Sequence, residues 1–151
     1  MIITICGSIK FYPEILKVQK QLENMGHEVL IPPNQVKNKN GDFITAEEIY
    51  QIRKEMVEKG EDHDWVWERK SEAIKWHFEK VNKADVVLIL NYDKNNIANY
   101  IGGNTLLEAG LAFWLGKPIY LYNPIPEDTS YYEEIKGMQP IVINQNLNLI
   151  K

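Results

Sequence analysis

Short runs of apolar, often β-branched residues alternate along the chain with longer segments in which apolar residues recur every three or four positions. The first run, residues 2–6, ends at Gly7 and predicts a buried strand that enters a turn. The next segment carries an apolar face of helical spacing, made of Phe11, Ile15, Val18, Leu22 and Met25. Gly26 predicts the end of that helix, and residues 27–31 predict a second short strand.

The rest of the chain continues this alternation. Residues 32–42 are polar, contain Pro and Gly and show no periodicity, so they predict a flexible loop. Two amphipathic helices follow, with apolar faces at Ala46, Ile49, Ile52 and Met56 and at Trp67, Ile74, Phe78 and Val81. Residues 86–90 are the most apolar run and predict the central strand. After a polar loop at 92–103, the pattern predicts a helix over 105–115, a strand over 118–122, a short helix over 131–137 and a last strand over 141–143.

Strands that alternate with helices are typical of α/β proteins, because each pair of parallel strands needs a crossover connection. The sequence therefore predicts a doubly wound, open parallel sheet, Rossmann-like or flavodoxin-like, of about five strands flanked by helices. A chain of 151 residues, 44% of them hydrophobic, suits a single domain over residues 1–151.

Composition and charge argue against several classes of protein. A net charge of −4 without a basic stripe argues against a duplex nucleic acid partner. The lone cysteine, Cys6, excludes an internal disulfide and suits a reducing compartment. The amino terminus lacks the charged start and the long apolar stretch of a signal peptide, and no apolar run approaches the roughly 20 residues of a membrane helix. We therefore expect a cytoplasmic protein without a membrane partner.

The turn after the first strand is a candidate binding loop. In open parallel sheets, ligands bind beyond the carboxyl ends of the strands. Gly7 and Ser8 are small enough for a ligand to approach the backbone there. A plain turn with Ser8 as a helix cap explains the same residues equally well. Neither the dinucleotide-binding nor the Walker-type glycine motif is present.

A second candidate loop contains Gly102, Gly103 and Asn104 and leads into the predicted helix that carries Glu108. A glutamate that faces a ligand here could act as a nucleophile or as a general base. The spacing Thr105-x-x-Glu108 is also that of a capping box, in which the carboxylate would only satisfy a backbone N–H. The pattern alone favours the capping box.

Other chemistry-bearing residues give weaker signals. His63 and His77 are fourteen positions apart without an accompanying metal-ligand motif, so we expect neither a metal nor a cofactor. Cys6 ends a buried strand, where cysteine is usually inert packing. The four tryptophans fall mostly on helix faces, which favours core packing over base stacking. They also offer more aromatic surface than one small core needs, which would fit an interface.

Three segments of the chain resemble the nucleoside 2-deoxyribosyltransferase family, which includes the 2′-deoxynucleoside 5′-phosphate N-hydrolases. They are CGSIKF near the start, KADVVLILN in the middle and GGNTLLEAGLAFWLGKPIYLYN after it. The resemblance spans roughly residues 1–123. Its most specific part is a T-x-x-E-x-G-x-A context followed by G-K-P, here Thr105, Glu108, Gly110, Ala112, Gly116, Lys117 and Pro118.

The resemblance implies that Glu108 attacks the anomeric carbon of a deoxyribosyl group, displaces the base and forms a covalent glycosyl-enzyme. It implies that Gly7 and Ser8 hold the base or the sugar, and that Phe11 lies near the base. It further implies a small-molecule nucleoside or nucleotide as ligand, and a homodimer or larger homo-oligomer whose subunits complete each other's sites.

Two positions depart from the family pattern. Gly102 stands where the transferases carry a sugar-binding aspartate, and His77 aligns with another family aspartate. An imidazole at the border of its helix's apolar face could still move protons near neutral pH, although packing there is the more common role. Asp93, Asn99 and Asn104 are candidate replacements for the lost sugar contacts.

The sequence therefore predicts an enzyme of N-glycosidic bonds, either a deoxyribosyltransferase or an N-hydrolase, with Glu108 and His77 as catalytic residues. The predicted substrate-binding residues are Gly7, Ser8, Phe11, Asp93, Gly102, Gly103 and Asn104. The alternative is a non-catalytic nucleotide-binding or sensing domain that retains the fold.

Overall fold

A computed structural model describes residues 1–151. Its strands are β1 (Ile2–Gly7), β2 (Glu28–Leu30), β3 (Gln35–Lys37), β4 (Phe43–Thr45), β5 (Val86–Leu90), β6 (Ile119–Leu121) and β7 (Ile141–Val142). Five of them form one parallel sheet in the order β2-β1-β5-β6-β7, and β3 pairs with β4 in a separate antiparallel hairpin. The predicted α/β architecture with a five-stranded parallel sheet is confirmed.

Five α-helices accompany the strands: α1 (Tyr12–Asn24), α2 (Ala46–Glu58), α3 (Asp64–Lys83), α4 (Gly103–Trp114) and α5 (Tyr132–Gly137). Helix α1 and the carboxyl-terminal segment pack on one face of the sheet, and helices α3, α4 and α5 pack on the other. None of the helices combines the length and the apolar character that a membrane crossing requires.

The alternation of side chains along β1 assigns its residues to the two faces of the sheet. Ile3 and Ile5 belong to the core under α1, whereas Cys6 belongs to the core under α3 and α4. Thr4, which also turns toward α3, donates its hydroxyl to the Lys80 carbonyl at 2.9 Å. Strand β5 is buried at all five positions because helices cover both faces, and this explains its uniformly apolar sequence.

The strand order reverses between β1 and β5. From β1 the chain crosses to β2 on one side, and it later returns to place β5 on the other side of β1. The loops that follow β1 and β5 therefore run in opposite directions and leave a crevice at the carboxyl ends of the two strands. Gly7 is paired with Leu90 at this edge.

The prediction of a flexible loop at residues 32–42 was wrong in part, because the structure forms the β3–β4 hairpin there. The side chain of Asn38 accepts hydrogen bonds from the backbone of Asn40 and Asp42, and Gly41 has a φ of 86°. A turn of this kind is built from local side-chain hydrogen bonds. Its two strands have only three residues each, too few to show a periodic pattern.

The expectation that the tryptophans lie in the core was also wrong. Trp67, Trp76 and Trp114 are exposed, and Trp65 is only half-buried. The core is instead filled by Ile, Val and Leu side chains from the strands and from the inner faces of the helices.

The approach of β1 to β5 gives a stability prediction for Gly7→Ala. A Cβ atom at Gly7 would lie 3.1 Å from the backbone carbonyl oxygen of Leu90, and a backbone atom in the central strand has little freedom to move. We expect the substitution to lower the free energy of unfolding by about 1–3 kcal/mol, measured by urea denaturation. Gly137→Ala, at an exposed helical position with open space around it, should have no destabilising effect. Equal stabilities of Gly7→Ala and the unsubstituted protein would contradict the prediction.

Candidate active site

A cavity of about 380 Å³ opens at the carboxyl ends of β1 and β5. The Gly7–Ser8 turn and the loop after β5 form one side of its lining, and the first turns of α4 contribute Gly103, Asn104 and Thr105. Helices α2 and α3 form most of the remaining wall, together with Ile9, Pro32, Pro33 and Val36. The site therefore lies at the switch point in strand order, where the fold leaves room for a ligand.

Helices α2 and α3 each present one face to the cavity. The lining residues of α2 are Ala46, Ile49, Tyr50 and Arg53, and those of α3 include Lys70, Ala73, Ile74 and His77. Both sets follow the spacing i, i+3, i+4, i+7, which places their side chains on a single helix face. Each face has apolar side chains near its middle and one cationic side chain, Arg53 on α2 and Lys70 on α3.

Glu108 lies in the second turn of α4, with 8% of its surface exposed, and it lines the cavity together with Gly7, Ser8 and Gly103. The capping-box alternative does not apply, because the helix begins at Gly103 and its N-cap residue is Gly102. Thr105 is thus already inside the helix. The Glu108 carboxylate is free to face the cavity.

His77 approaches Glu108 from α3. Its Nδ1 atom lies 3.5 Å from Oε1 of Glu108, and neither ring nitrogen has a hydrogen-bond partner, although only 5% of the residue is exposed. Burial, helped by the nearby charge of Lys80, lowers the pKa of His77 to about 4. The ring is therefore neutral near pH 7, with one donor and one acceptor nitrogen available.

Burial also sets the ionisation of Glu108. It raises the pKa of the carboxyl to about 7, although a hydrogen bond with the Cys6 thiol and the charge of Lys70 act in the opposite direction. Burial and the neighbouring carboxylate raise the pKa of the Cys6 thiol well above its usual range. The group that titrates near neutrality at this site is thus Glu108 and not His77.

Cys6, His77 and Glu108 have the donor types of a metal site, and their donor atoms lie within 4.8 Å of one another. A metal bound here would have to displace the thiol proton of Cys6, whose pKa is raised. The raised thiol pKa therefore opposes metal binding, although the donor types would suit it. The expectation of no metal and no cofactor stays a prediction.

The structure brings most of the predicted binding residues to the cavity. Gly7, Ser8, Gly102, Gly103 and Asn104 line it. Ser8 also caps the short 3-10 turn that precedes α1 by accepting a hydrogen bond from the Lys10 N–H, so its capping and its cavity position coexist.

Phe11 and Asp93 do not line the cavity. Phe11 is buried and packs edge-on against Tyr92, with ring centroids 5.4 Å apart. Asp93 accepts a hydrogen bond from the backbone of Asn99 at 2.9 Å and so stabilises the loop after β5. Their local contacts explain why the structure places both residues outside the lining.

The loop after β5 contributes a cation that the sequence did not indicate. Lys94 and Ile97 exchange two backbone hydrogen bonds around Asn95 and Asn96, both of which have positive φ. A two-residue turn with this geometry reverses the direction of the chain. It places Lys94 Nζ 2.8 Å from Ser8 Oγ, at the edge of the cavity.

Tyr100 occupies the space beside Gly102. A Cβ atom at Gly102 would lie 3.2 Å from both Cε1 and the hydroxyl oxygen of the tyrosine ring. The tyrosine itself lines the cavity. The position where the resembled family carries an aspartate is therefore covered here by a phenol from two residues earlier in the chain.

No protein-family model matches the sequence, and no curated protein matches it. Four chains of solved structures are similar to this chain, among them the following two. One is a 2-deoxyribosyltransferase from Bacillus psychrosaccharolyticus, with 20% identity, a TM-score of 0.46 and coverage of 80% of this chain and 71% of that chain. The other is the CMP N-glycosidase BcmB of Clostridium botulinum, with 15% identity, a TM-score of 0.48 and coverage of 95% and 90%. Likeness at this level does not assign a function, so the chemistry has to be inferred from the residues of this chain.

The ionisation of Glu108 can be measured directly. With ¹³C-labelled glutamate side chains, one carboxyl resonance should titrate with a midpoint near pH 7, and it should be missing in Glu108→Gln. Cys6→Ala removes the thiol that lowers the Glu108 pKa, so the midpoint should move to higher pH. Cys6→Ser keeps a donor and should stay near the original midpoint. A Glu108 midpoint that does not move in Cys6→Ala would refute the role of the thiol.

Proposed function

We propose that this protein is an enzyme of N-glycosidic bonds that acts on a nucleoside or nucleotide, with Glu108 as its nucleophile. The observation that carries the proposal is the meeting of the Glu108 carboxylate and the His77 ring, 3.5 Å apart, at the wall of a cavity at the strand-order switch point. The sequence resemblance around Glu108 supports the same assignment. Functional sites commonly hold such titratable groups with strongly shifted pKa values.

The reaction begins with the ionised form of Glu108. Its carboxylate oxygen attacks the anomeric carbon, and a C–O bond forms while the C–N bond to the base breaks. The electron pair of that bond leaves with the base, which takes up a proton from the solvent, and the water or second base that attacks next returns one proton to the solvent. Water then displaces Glu108 and releases the sugar, or a second base displaces it and forms a new nucleoside. Either route regenerates the carboxylate.

His77 supports Glu108 in this proposal. A neutral imidazole carries one N–H donor and one acceptor. With Nδ1 facing the carboxylate, the ring can orient Glu108, whereas Nε2 is buried without a hydrogen-bond partner. Tyr100, which covers Gly102, offers its hydroxyl in place of the family aspartate.

Replacement of Glu108 tests the proposal. Incubation with a panel of nucleosides and nucleotides, with and without acceptor bases, should release free base, and Glu108→Gln should abolish this release because an amide cannot form the glycosyl ester. Mass spectrometry of the quenched protein should detect the sugar adduct on Glu108. The value of kcat/KM should rise with pH through the Glu108 pKa, near 7, because the carboxylate is the attacking form.

His77→Ala provides a second arm of the same experiment. The loss of a positioned group should reduce turnover by about 10²- to 10⁴-fold, while circular dichroism should show that the protein remains folded at the assay temperature. If nucleotides bind to the protein but no substrate in the panel releases base, the non-catalytic binding domain is the correct function.

We further propose that the chain forms a homo-oligomer through α4. The inner face of this helix carries Thr105, Glu108, Ala109 and Ala112, all buried. Its outer face carries Leu107, 51% exposed, and Trp114, 84% exposed, with Gly110 and Leu111 between them. A helix that is apolar on both faces is typical of a buried position, so a second copy is the expected cover for the outer face.

Light scattering tests the interface. At micromolar concentration the protein should have at least twice the mass of one chain, and Trp114→Glu should shift it toward the monomer because the charge would be buried against the second copy. The matched control is Trp76→Glu, which alters another exposed tryptophan, 54% exposed and on α3, and should leave the mass unchanged. A monomeric mass for the unsubstituted protein would contradict the proposal.

A further inference from the structure

The charge of the cavity is opposite in sign to that of the whole chain. Its lining contains four cations and one acid: Arg53, Arg69, Lys70, Lys94 and Glu108. The local surplus is three positive charges when Glu108 is ionised and four when it is protonated, whereas the chain as a whole carries −4. A concave surface of one sign attracts ligands of the other sign.

Two of the four cations already have partners within the protein. Arg69 donates to both carboxylate oxygens of Glu72, at 2.8 and 2.9 Å, and to the carbonyl oxygen of Lys37 at 3.0 Å. Lys94 donates to Ser8 Oγ and lies 4.9 Å from the centre of the Tyr100 ring. Their positions follow from these internal contacts.

Arg53 and Lys70 have no such partners. Neither forms a salt bridge, and neither donates a side-chain hydrogen bond to another residue, although Arg53 lies 5.7 Å from the centre of the Tyr50 ring. Both are half-buried and face the cavity from neighbouring helices. Burial and the charge of Arg53 lower the pKa of Lys70 to about 8. Two unpaired like charges held together in this way are unfavourable unless an anion lies between them.

We propose that Arg53 and Lys70 form an anion subsite that binds the phosphate of a nucleoside 5′-phosphate, so that the substrate of this enzyme is a nucleotide. The proposal rests on the function proposed above and specifies its substrate class. A guanidinium can bind two oxygens of a phosphate, and an ammonium adds a point charge beside it. Lys70 lies two turns before His77 on the same face of α3, about 10 Å along the helix axis, so the long side chain can reach a phosphate while the sugar lies beside Glu108.

Matched nucleosides and nucleoside 5′-phosphates test the subsite. The unsubstituted protein should have a higher kcat/KM for each 5′-phosphate than for its nucleoside. Arg53→Gln and Lys70→Met should each lower the ratio of the two kcat/KM values by about 10- to 100-fold, because each removes a charge-assisted contact to the phosphate. Arg69→Gln is the matched control, since it removes a cavity cation that Glu72 already neutralises, and it should leave the ratio unchanged.

A binding measurement separates this proposal from the catalytic one. Calorimetry on Glu108→Gln should show tighter binding of the 5′-phosphates than of the nucleosides, and the difference should be lost when Arg53→Gln and Lys70→Met are combined with it. This result without base release in any assay would support the subsite while removing the proposed chemistry. Equal binding of nucleosides and nucleotides, or a preference that survives both substitutions, would overturn the subsite.

Inorganic phosphate distinguishes a substrate phosphate from a free one. We expect it to compete with the nucleotide and not to be consumed. If it instead accelerated nucleoside cleavage and appeared in a sugar 1-phosphate, the anion would be a co-substrate, and the assignment to a nucleotide would be wrong.

Discussion

The pairing of β1 with β5 is the constraint on which the candidate site depends. The two strands are in register from Ile3 opposite Val86 to Gly7 opposite Leu90, and only a glycine fits at the last pair without crowding the Leu90 carbonyl. This register fixes where both strands end. It also turns Cys6 toward the face that α3 and α4 cover, where the thiol meets Glu108. A displacement of the pairing by one residue would turn Cys6 to the opposite face.

The site combines one buried acid with an excess of cations. Burial alone would keep Glu108 protonated far into the neutral range, and the Cys6 thiol and the Lys70 charge restrain that effect. Lys70 therefore interacts with two charged residues. Its charge favours the ionised form of Glu108, and the charge of Arg53 disfavours the ionised form of Lys70. A phosphate near Lys70 would weaken its effect on the glutamate, so anion binding at Lys70 would be coupled to the ionisation of Glu108.

The architecture could be predicted from the sequence, because apolar runs and helical periodicity depend on the chain alone. Glu108 could be found through its surrounding motif, whereas its burial and its raised pKa could not. The pairing of Arg53 with Lys70 across the cavity could not be predicted, because periodicity shows which residues share a helix face and not which two helices face each other. The sequence predicts inert packing for Cys6, since nothing in a single strand indicates which side chain lies across from it. Lys94 depends on two asparagines with positive φ, a local geometry that polar composition did not reveal.

The pKa values of Glu108 and His77 shift in opposite directions on folding, and this affects how many protons the two groups bind when the chain folds. In the unfolded chain, between pH 4.5 and 6.5, the glutamate is ionised and the histidine carries the proton. In the folded protein the glutamate pKa is near 7 and that of the histidine is near 4, so in the same interval the carboxyl holds the proton and the ring is neutral. The raised carboxyl pKa alone would make stability fall as the pH rises through this interval, and the lowered imidazole pKa alone would make it rise. The two slopes oppose each other, so within this pair folding moves one proton from the imidazole to the carboxylate, with little net exchange between these two groups and the solvent.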